Sequence, residues 1–117
     1  MIAVVDDDEL VRKAVVRLLQ AAGHVACGFA CGSDFLLAWQ IDRPECVILD
    51  LQMPGVSGTD VLRALRRAAA NLPVVMITAN DRPGAREECN REGAVGHLLK
   101  PLDARVLLES VKLATGK

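Results

Sequence analysis

Asp6, Asp7 and Asp50 each stand where an apolar run stops: the first two after Ile2-Ala3-Val4-Val5, the third after Val47-Ile48-Leu49. Thr78 and Lys100 stand the same way, after Val74-Val75-Met76-Ile77 and after the stretch Val95 to Leu99. Carboxylates held together raise one another's pKa unless a cation offsets them. A donor set of oxygens alone, with one or two carboxylates in direct contact and water supplying the rest, suits Mg²⁺. A hydroxyl and an ammonium beside a metal-bound carboxylate make a place for a phosphoryl group. The cations neutralise its oxygens, the hydroxyl donates a hydrogen bond, and the carboxylate of Asp50 attacks in line. Helix capping alone accounts for Asp8 and Asp103, but not for a threonine and a lysine at the other run ends.

That chemistry requires the residues to meet. The apolar runs at 2–5, 47–49 and 74–77 are continuous, rich in β-branched residues and too short for helices, so they read as strands buried on both faces. His24 to Ala30 is a looser second strand and Val95 to Leu99 a fifth. Between them, Val11, Ala14, Val15, Leu18, Leu19 and Ala22 keep helical spacing and stop at Gly23. Ser33 reads as the N-cap of a short helix carrying Phe35, Leu36 and Trp39. Val61, Leu62, Leu65, Ala68 and Ala69 mark a third helix, with Arg63, Arg66 and Arg67 on a solvated face. A fourth, unusually polar, runs from about Pro83 to Glu92, and a fifth starts at Asp103 with Leu107, Val111 and Ala114 inward. Five β-then-α units predict an α/β fold: a flavodoxin-like, doubly wound, five-stranded parallel sheet of order 2-1-3-4-5 with five helices. In such a sheet the C-terminal strand ends share one rim, and ligands bind where the strand order reverses, between strands one and three. Asp6, Asp7 and Asp50 are therefore expected at one place.

The 117 residues suffice for a single core, and 51% apolar with 25% charged side chains describes a globular chain. A net charge of -1, from 14 basic and 15 acidic residues, gives no pull toward nucleic acid or an anionic membrane. No apolar run approaches the roughly 20 residues that span a bilayer. The N-terminus meets acidic residues at once and does not read as a signal peptide. Cys27, Cys31, Cys46 and Cys89 read as buried, reduced thiols of a cytosolic protein. His24, Cys27 and Cys31 lack a fourth ligand at a metal-binding spacing. Trp39 reads as packing, and Gly55 and Gly58 as turn residues, since no Gly-Lys-Ser/Thr follows them.

Four motifs in order, Val4-Val5-Asp6-Asp7-Asp8, Leu49-Asp50-Leu51-Gln52-Met53-Pro54-Gly55-Val56-Ser57-Gly58, Ile77-Thr78-Ala79 and Leu99-Lys100-Pro101, resemble the receiver domains of two-component response regulators. The resemblance covers essentially all of residues 1–117 as one domain. It implies that Asp50 accepts a phosphoryl group from a sensor histidine kinase. It implies that Asp7, Asp50 and the Gln52 backbone carbonyl ligate Mg²⁺, with Asp6 assisting through water. Thr78 and Lys100 would contact the phosphoryl group, and the Lys100-Pro101 bond would be cis. Such a domain catalyses only its own phosphorylation and dephosphorylation. It switches the surface of helix four, strand five and helix five, often into a homodimer, to control an output. The stretches DLQMPGVSG and EGAVGHLLKP resemble receivers that precede a DNA-binding output domain, as in nitrogen-fixation regulators. Such a receiver does not itself touch nucleic acid.

Three positions depart from the family pattern. His97 stands where a Tyr or Phe usually follows the threonine during switching, Leu102 replaces a common Phe, and helix four is polar. Gln52 and Asn80, two residues after Asp50 and Thr78, would line the path of an attacking water. Both are neutral amides that order a water without deprotonating it, which predicts slow to moderate autodephosphorylation. Three alternatives compete. A haloacid-dehalogenase-type phosphatase wants a second Asp where Gln52 stands. A flavodoxin-like binding module wants a Gly- or hydroxyl-rich phosphate loop where this chain has Asp6-Asp7-Asp8-Glu9. A pseudo-receiver, used only for protein contacts, is disfavoured because every expected active-site residue is present.

Overall fold

In the computed structural model, which describes residues 1–68, 71–79 and 83–116, strands and helices alternate along the whole chain. They run β1 (Ile2–Val5), α1 (Glu9–Ala21), β2 (Ala26–Phe29), α2 (Gly32–Trp39), β3 (Cys46–Asp50), α3 (Gly58–Arg67), β4 (Val74–Thr78), α4 (Ala85–Arg91), β5 (Gly96–Leu99) and α5 (Ala104–Thr115). The strands form one parallel sheet in the order β2-β1-β3-β4-β5, the flavodoxin-like winding expected from the sequence.

Every residue of β1, β3 and β4 is buried, because helices cover both faces of the sheet. Alternate residues face opposite layers. Ala3, Val5, Val47, Leu49, Val74 and Met76 pack with Phe35 and Trp39 of α2, Val61, Leu62 and Leu65 of α3, and Ala85 and Cys89 of α4. Ile2, Val4, Cys46, Ile48, Val75 and Ile77 pack with Val15 and Leu19 of α1 and Leu107 and Val111 of α5. Leu102 packs at the margin of this second layer. The edge strand β2 is only partly covered, with Cys27 and Gly28 exposed.

Several local readings change. Helix α2 is capped by Cys31, without a side-chain hydrogen bond, and Ser33 lies inside its first turn. The helix starts early because Gly32 seats it on α3: a Cβ there would lie 2.6 Å from Cγ2 of Val61. Helix α4 excludes Pro83 and Gly84, since Gly84 takes φ +84°, a conformation no α-helix contains. Helix α3 begins at Gly58, which is therefore helical rather than a turn residue; Ala69, assigned to this helix from spacing, lies outside the described residues. The cysteines divide as well: Cys46 and Cys89 are buried, Cys31 is half-buried and Cys27 is exposed. Burial, then the nearby carboxylate of Glu45, pushes the Cys46 thiol up to about 12, and Cys89 is raised by burial and Glu88. Both are held as inert thiols.

Candidate functional site

Register brings the strand ends level. Val5 aligns with Leu49, Asp50 with Ile77, and Thr78 with Leu99, so Asp6, Asp50, Thr78 and Lys100 follow one another along the same rim. Asp6, Asp7 and Asp50 each offer a carboxylate oxygen within 4.8 Å of the others. Asp6 is fully buried and Asp50 nearly so, while Asp7 is exposed and closes the group from the solvent side. Oxygen donors on hard carboxylates, with one open side, fit a Mg²⁺-type cation that keeps part of its water.

Each carboxylate is held by local structure. The Asp6 amide donates to the Phe29 carbonyl of β2, and Asp6 Oδ1 accepts from the Asp8 amide at 2.9 Å. Asp8 caps α1 by accepting from the Leu10 and Val11 amides, and Asp103 caps α5 in the same way through Arg105 and Val106. Asp50 Oδ1 accepts from the Gln52 amide at 3.3 Å. The loop after Asp50 is closed by a capping box, in which Ser57 Oγ accepts from the Asp60 amide and Asp60 Oδ2 accepts from the Ser57 amide. Gly58 then returns to the strand end: its amide donates to Leu51, and a Cβ on it would lie 2.2 Å from the Asp50 carbonyl oxygen.

The cation at the rim is Lys100. Its Nζ lies 2.9 Å from Asp6 Oδ2 and 3.6 Å from Asp50 Oδ2, so it leans toward Asp6. Burial works to lower its pKa, but Asp6 and Asp50 outweigh burial and the ammonium is raised. Asp50 moves the other way from an ordinary carboxylate. Burial and the charge of Asp6 lift it from 3.8 to about 7, against the opposing pull of Lys100 and the Gln52 amide. A divalent cation among the three carboxylates would hold Asp50 ionised. Thr78 is fully buried at the end of β4. The peptide bond between Lys100 and Pro101 is cis.

The structure thus gathers five of the residues singled out from sequence. Gln52 is exposed beside Asp50, with its amide turned to the carboxylate. His97, half-buried on β5, is aligned with Met76 rather than with Thr78. Asn80 lies outside the described residues. Two contributors were not legible. Gly58 acts through a close approach that spacing cannot show. Arg12, whose Nη1 donates to the Asp6 carbonyl at 2.9 Å, is one cation among many in the sequence; its place one turn into α1 was the available signal. Arg63 and Arg66 are not a solvated face: both reach from α3 to α4, leaving Arg67 exposed.

A family model described as the response regulator receiver domain matches residues 2–112. The transcriptional regulatory protein FixJ of Azorhizobium caulinodans is 30% identical over 115 residues, covering 97% of this chain and 54% of FixJ. Nodulation protein W of Bradyrhizobium diazoefficiens is also 30% identical over 115 residues, covering 98% of this chain and 51% of that protein. The chain therefore spans about half the length of these two relatives. Among solved structures, a response regulator receiver protein from Burkholderia phymatum superposes with a TM-score of 0.87 at 40% identity, covering 98% of this chain and 94% of the other.

Proposed function

This chain belongs to the response regulator receiver domain family, and from that premise we propose that residues 1–117 form one receiver whose phospho-acceptor is Asp50. As a receiver, the chain is a phosphorelay signalling module and not an enzyme acting on a separate substrate. The observation that carries the assignment is the meeting of Asp6, Asp7 and Asp50 within 4.8 Å, at the rim where Lys100 and Thr78 also end.

The carboxylates of Asp6, Asp7 and Asp50 fit Mg²⁺; Asp7, Asp50 and the Gln52 carbonyl would hold it, with Asp6 assisting through water. When bound there, the metal would supply positive charge to the phosphoryl oxygens and to the acceptor carboxylate. An Asp50 oxygen attacks the phosphorus of a phosphoimidazole on a histidine kinase. The P–O bond forms as the P–N bond breaks, and the imidazole leaves and takes up a proton. Lys100 supplies a second positive charge, already between Asp6 and Asp50, and Thr78 donates a hydrogen bond to the phosphoryl group. Gln52 and Asn80 bring no general base to the attacking water, so the acyl phosphate hydrolyses slowly to moderately.

The phosphorylated domain acts through α4, β5 and α5, with Thr78 and His97 as the switch pair and a homodimer as one outcome. Leu99 and Val106, apolar yet 43% and 45% exposed on β5 and α5, support a contact surface there. FixJ is described as a transcriptional regulatory protein and is about twice as long as this chain, which supports a DNA-binding output as the controlled partner. No helix among the described residues is long and apolar enough to cross a membrane, and we place the relay in the cytoplasm, where kinase and output meet.

Intact-mass measurement with a small phosphodonor and Mg²⁺ tests the site. Wild type gains one phosphoryl mass, Asp50→Asn gains none, and Asp7→Asn loses both the Mg²⁺ requirement and the activity. A stable acyl phosphate on Asp50→Asn would falsify the assignment.

A further inference from the structure

The geometry points to Arg12 as the positioning residue of the metal site: its guanidinium fixes the β1–α1 loop that presents Asp6 and Asp7. The inference rests on the reading of Asp7 and Asp50 as Mg²⁺ ligands.

Arg12 lies in α1, half-buried, and its Nη1 donates to the Asp6 carbonyl oxygen at 2.9 Å. That carbonyl lies just past the end of β1, in the peptide link that leads to Asp7. Every other handle on Asp6 acts elsewhere: its amide is held by Phe29, and its carboxylate by the Asp8 amide and Lys100. Arg12 is therefore the contact that sets the orientation of the peptide leading into Asp7, the exposed member of the trio. Among the described residues no side-chain hydrogen bond or ion pair holds Asp7, so its placement follows the backbone.

The neighbouring strand is shaped for this arginine. The aliphatic stem of Arg12 crosses Gly28 of β2, where a Cβ would stand 3.0 Å from Cγ and 3.1 Å from Cδ. A side chain at position 28 would press the stem aside and shift the guanidinium. Edge strand and first helix thus cooperate to aim one hydrogen bond at the β1–α1 loop.

Charge and geometry make opposite predictions for its removal. Arg12 is a cation beside a cation site, so by Coulomb's law alone its loss should tighten Mg²⁺ binding. If Arg12 orders the ligands, its loss should weaken binding, as removal of groups that orient metal ligands does. The sign of the effect decides.

The experiment titrates Mg²⁺ alone into the whole chain and follows the amide resonances of residues 6–8 and 50–52. Thermal unfolding in EDTA runs in parallel. Arg12→Ala should raise the Mg²⁺ dissociation constant about tenfold. Arg12→Lys, which keeps a donor and the charge, should recover part of that loss. Gly28→Ala, which keeps Arg12 itself, should weaken binding in the same direction. Lys13→Ala, which removes an exposed cation paired with Glu9, should leave the constant unchanged or slightly lower it. Phosphorylation of Arg12→Ala by a small donor should need more Mg²⁺ for half-maximal rate and approach the wild-type rate at saturation. Unchanged or tighter Mg²⁺ binding by a folded Arg12→Ala overturns the inference, as does a rate loss that saturating Mg²⁺ leaves in place. If Arg12→Ala does not fold, Gly28→Ala alone decides, and an unchanged constant there rejects the role. A wild-type chain with no saturable response overturns the metal reading itself, and this inference with it.

Discussion

Asp50 is the residue in which folding and function pull against each other. Burial and the charge of Asp6 hold its carboxyl near 7 instead of 3.8, although the acceptor role proposed for it needs the ionised form. A group whose folded pKa is raised stabilises the fold fully below its unfolded value, and loses that contribution as pH rises through the folded value. Urea unfolding in EDTA should show wild type losing roughly 2–4 kcal/mol relative to Asp50→Asn between about pH 4 and about pH 8. Parallel pH courses for the two proteins would remove Asp50 as the source. Gly58 enforces the position of the same residue from behind. With a Cβ only 2.2 Å from the Asp50 carbonyl oxygen, Gly58→Ala must push α3 away from the strand. Overpacking of this kind costs about 1–3 kcal/mol, and here it should also slow phosphorylation by a small donor. Wild-type stability together with wild-type rate would contradict that close approach. The carboxylates, Thr78 and Lys100 were legible because parallel strands end on a common rim, so position in a run translates into position in space. Gly58 was not, since a distance between a helix start and a strand end leaves no periodic trace. Cys27 was read as buried from its residue type, although the expected strand order already placed β2 at the sheet edge, where it is only partly covered.

At the scale of elements, α4 shows how a polar sequence can still be held. Only Ala85 and Cys89 are buried on this seven-residue helix, and spacing alone makes it look weakly attached. Two arginines of α3 supply what the apolar face lacks. Arg63 meets Glu88 at 3.2 Å and Glu92 at 3.4 Å. Arg66 donates to the carbonyls of Glu92 at 3.1 Å and Gly93 at 2.9 Å, and also to Leu72 ahead of β4. The Glu92 and Gly93 carbonyls lie at the C-terminal end of α4, where a helix has acceptors without intrahelical partners and a negative dipole end. Gly93 admits the guanidinium, since a Cβ there would lie 2.5 Å from Arg66 Nε, and its φ of +94° favours glycine independently. Among the described residues the N-terminal end has no such hold: Gly84 caps it without a side-chain bond. The sequence showed the arginines and the glutamates separately, and nothing in either helix's own period pairs them across two elements. Arg66→Ala should raise amide exchange in residues 88–94 about tenfold, matching the loss of a charge-assisted hydrogen bond of roughly 1.5 kcal/mol. Arg63→Ala should do less, because half-exposed ion pairs are worth about 0–1 kcal/mol and are screened by salt. Equal exchange in wild type and Arg66→Ala would show that the apolar contacts alone hold this end.

Across the whole molecule, the asymmetry of α4 sets how a change at the rim can travel. The α/β alternation and the strand order were legible because two-sided burial writes itself into continuous apolar runs. The route from Asp50 outward was not, because it depends on which end of α4 is tied. Thr78 ends β4 on the site side, and the chain re-enters the described structure at Pro83, just ahead of the N-terminal end of α4. The tied end sits by Gly93 and Ala94, against α3 and the entry to β5. A pull on Thr78 toward a phosphoryl group should therefore tilt α4 about its C-terminal end rather than release the whole helix, since local opening begins where contacts are fewest. His97 shares this outcome only in part. Burying a charged imidazole is costly, so any inward move of His97 favours the neutral ring and should weaken in mild acid. Amide exchange with and without beryllofluoride, a phosphoryl mimic, can separate the contributions in wild type, Arg66→Ala and His97→Ala. In wild type, beryllofluoride should change protection at residues 84–87 and leave 88–94 nearly as protected as before. In Arg66→Ala the change should extend through residue 94, because the pivot has been removed. His97→Ala should keep the wild-type pattern but lose its dependence on pH between mildly acidic and neutral conditions. A uniform response of α4 in wild type would reject the pivot, and complete loss of response in His97→Ala would place the switch on that side chain instead.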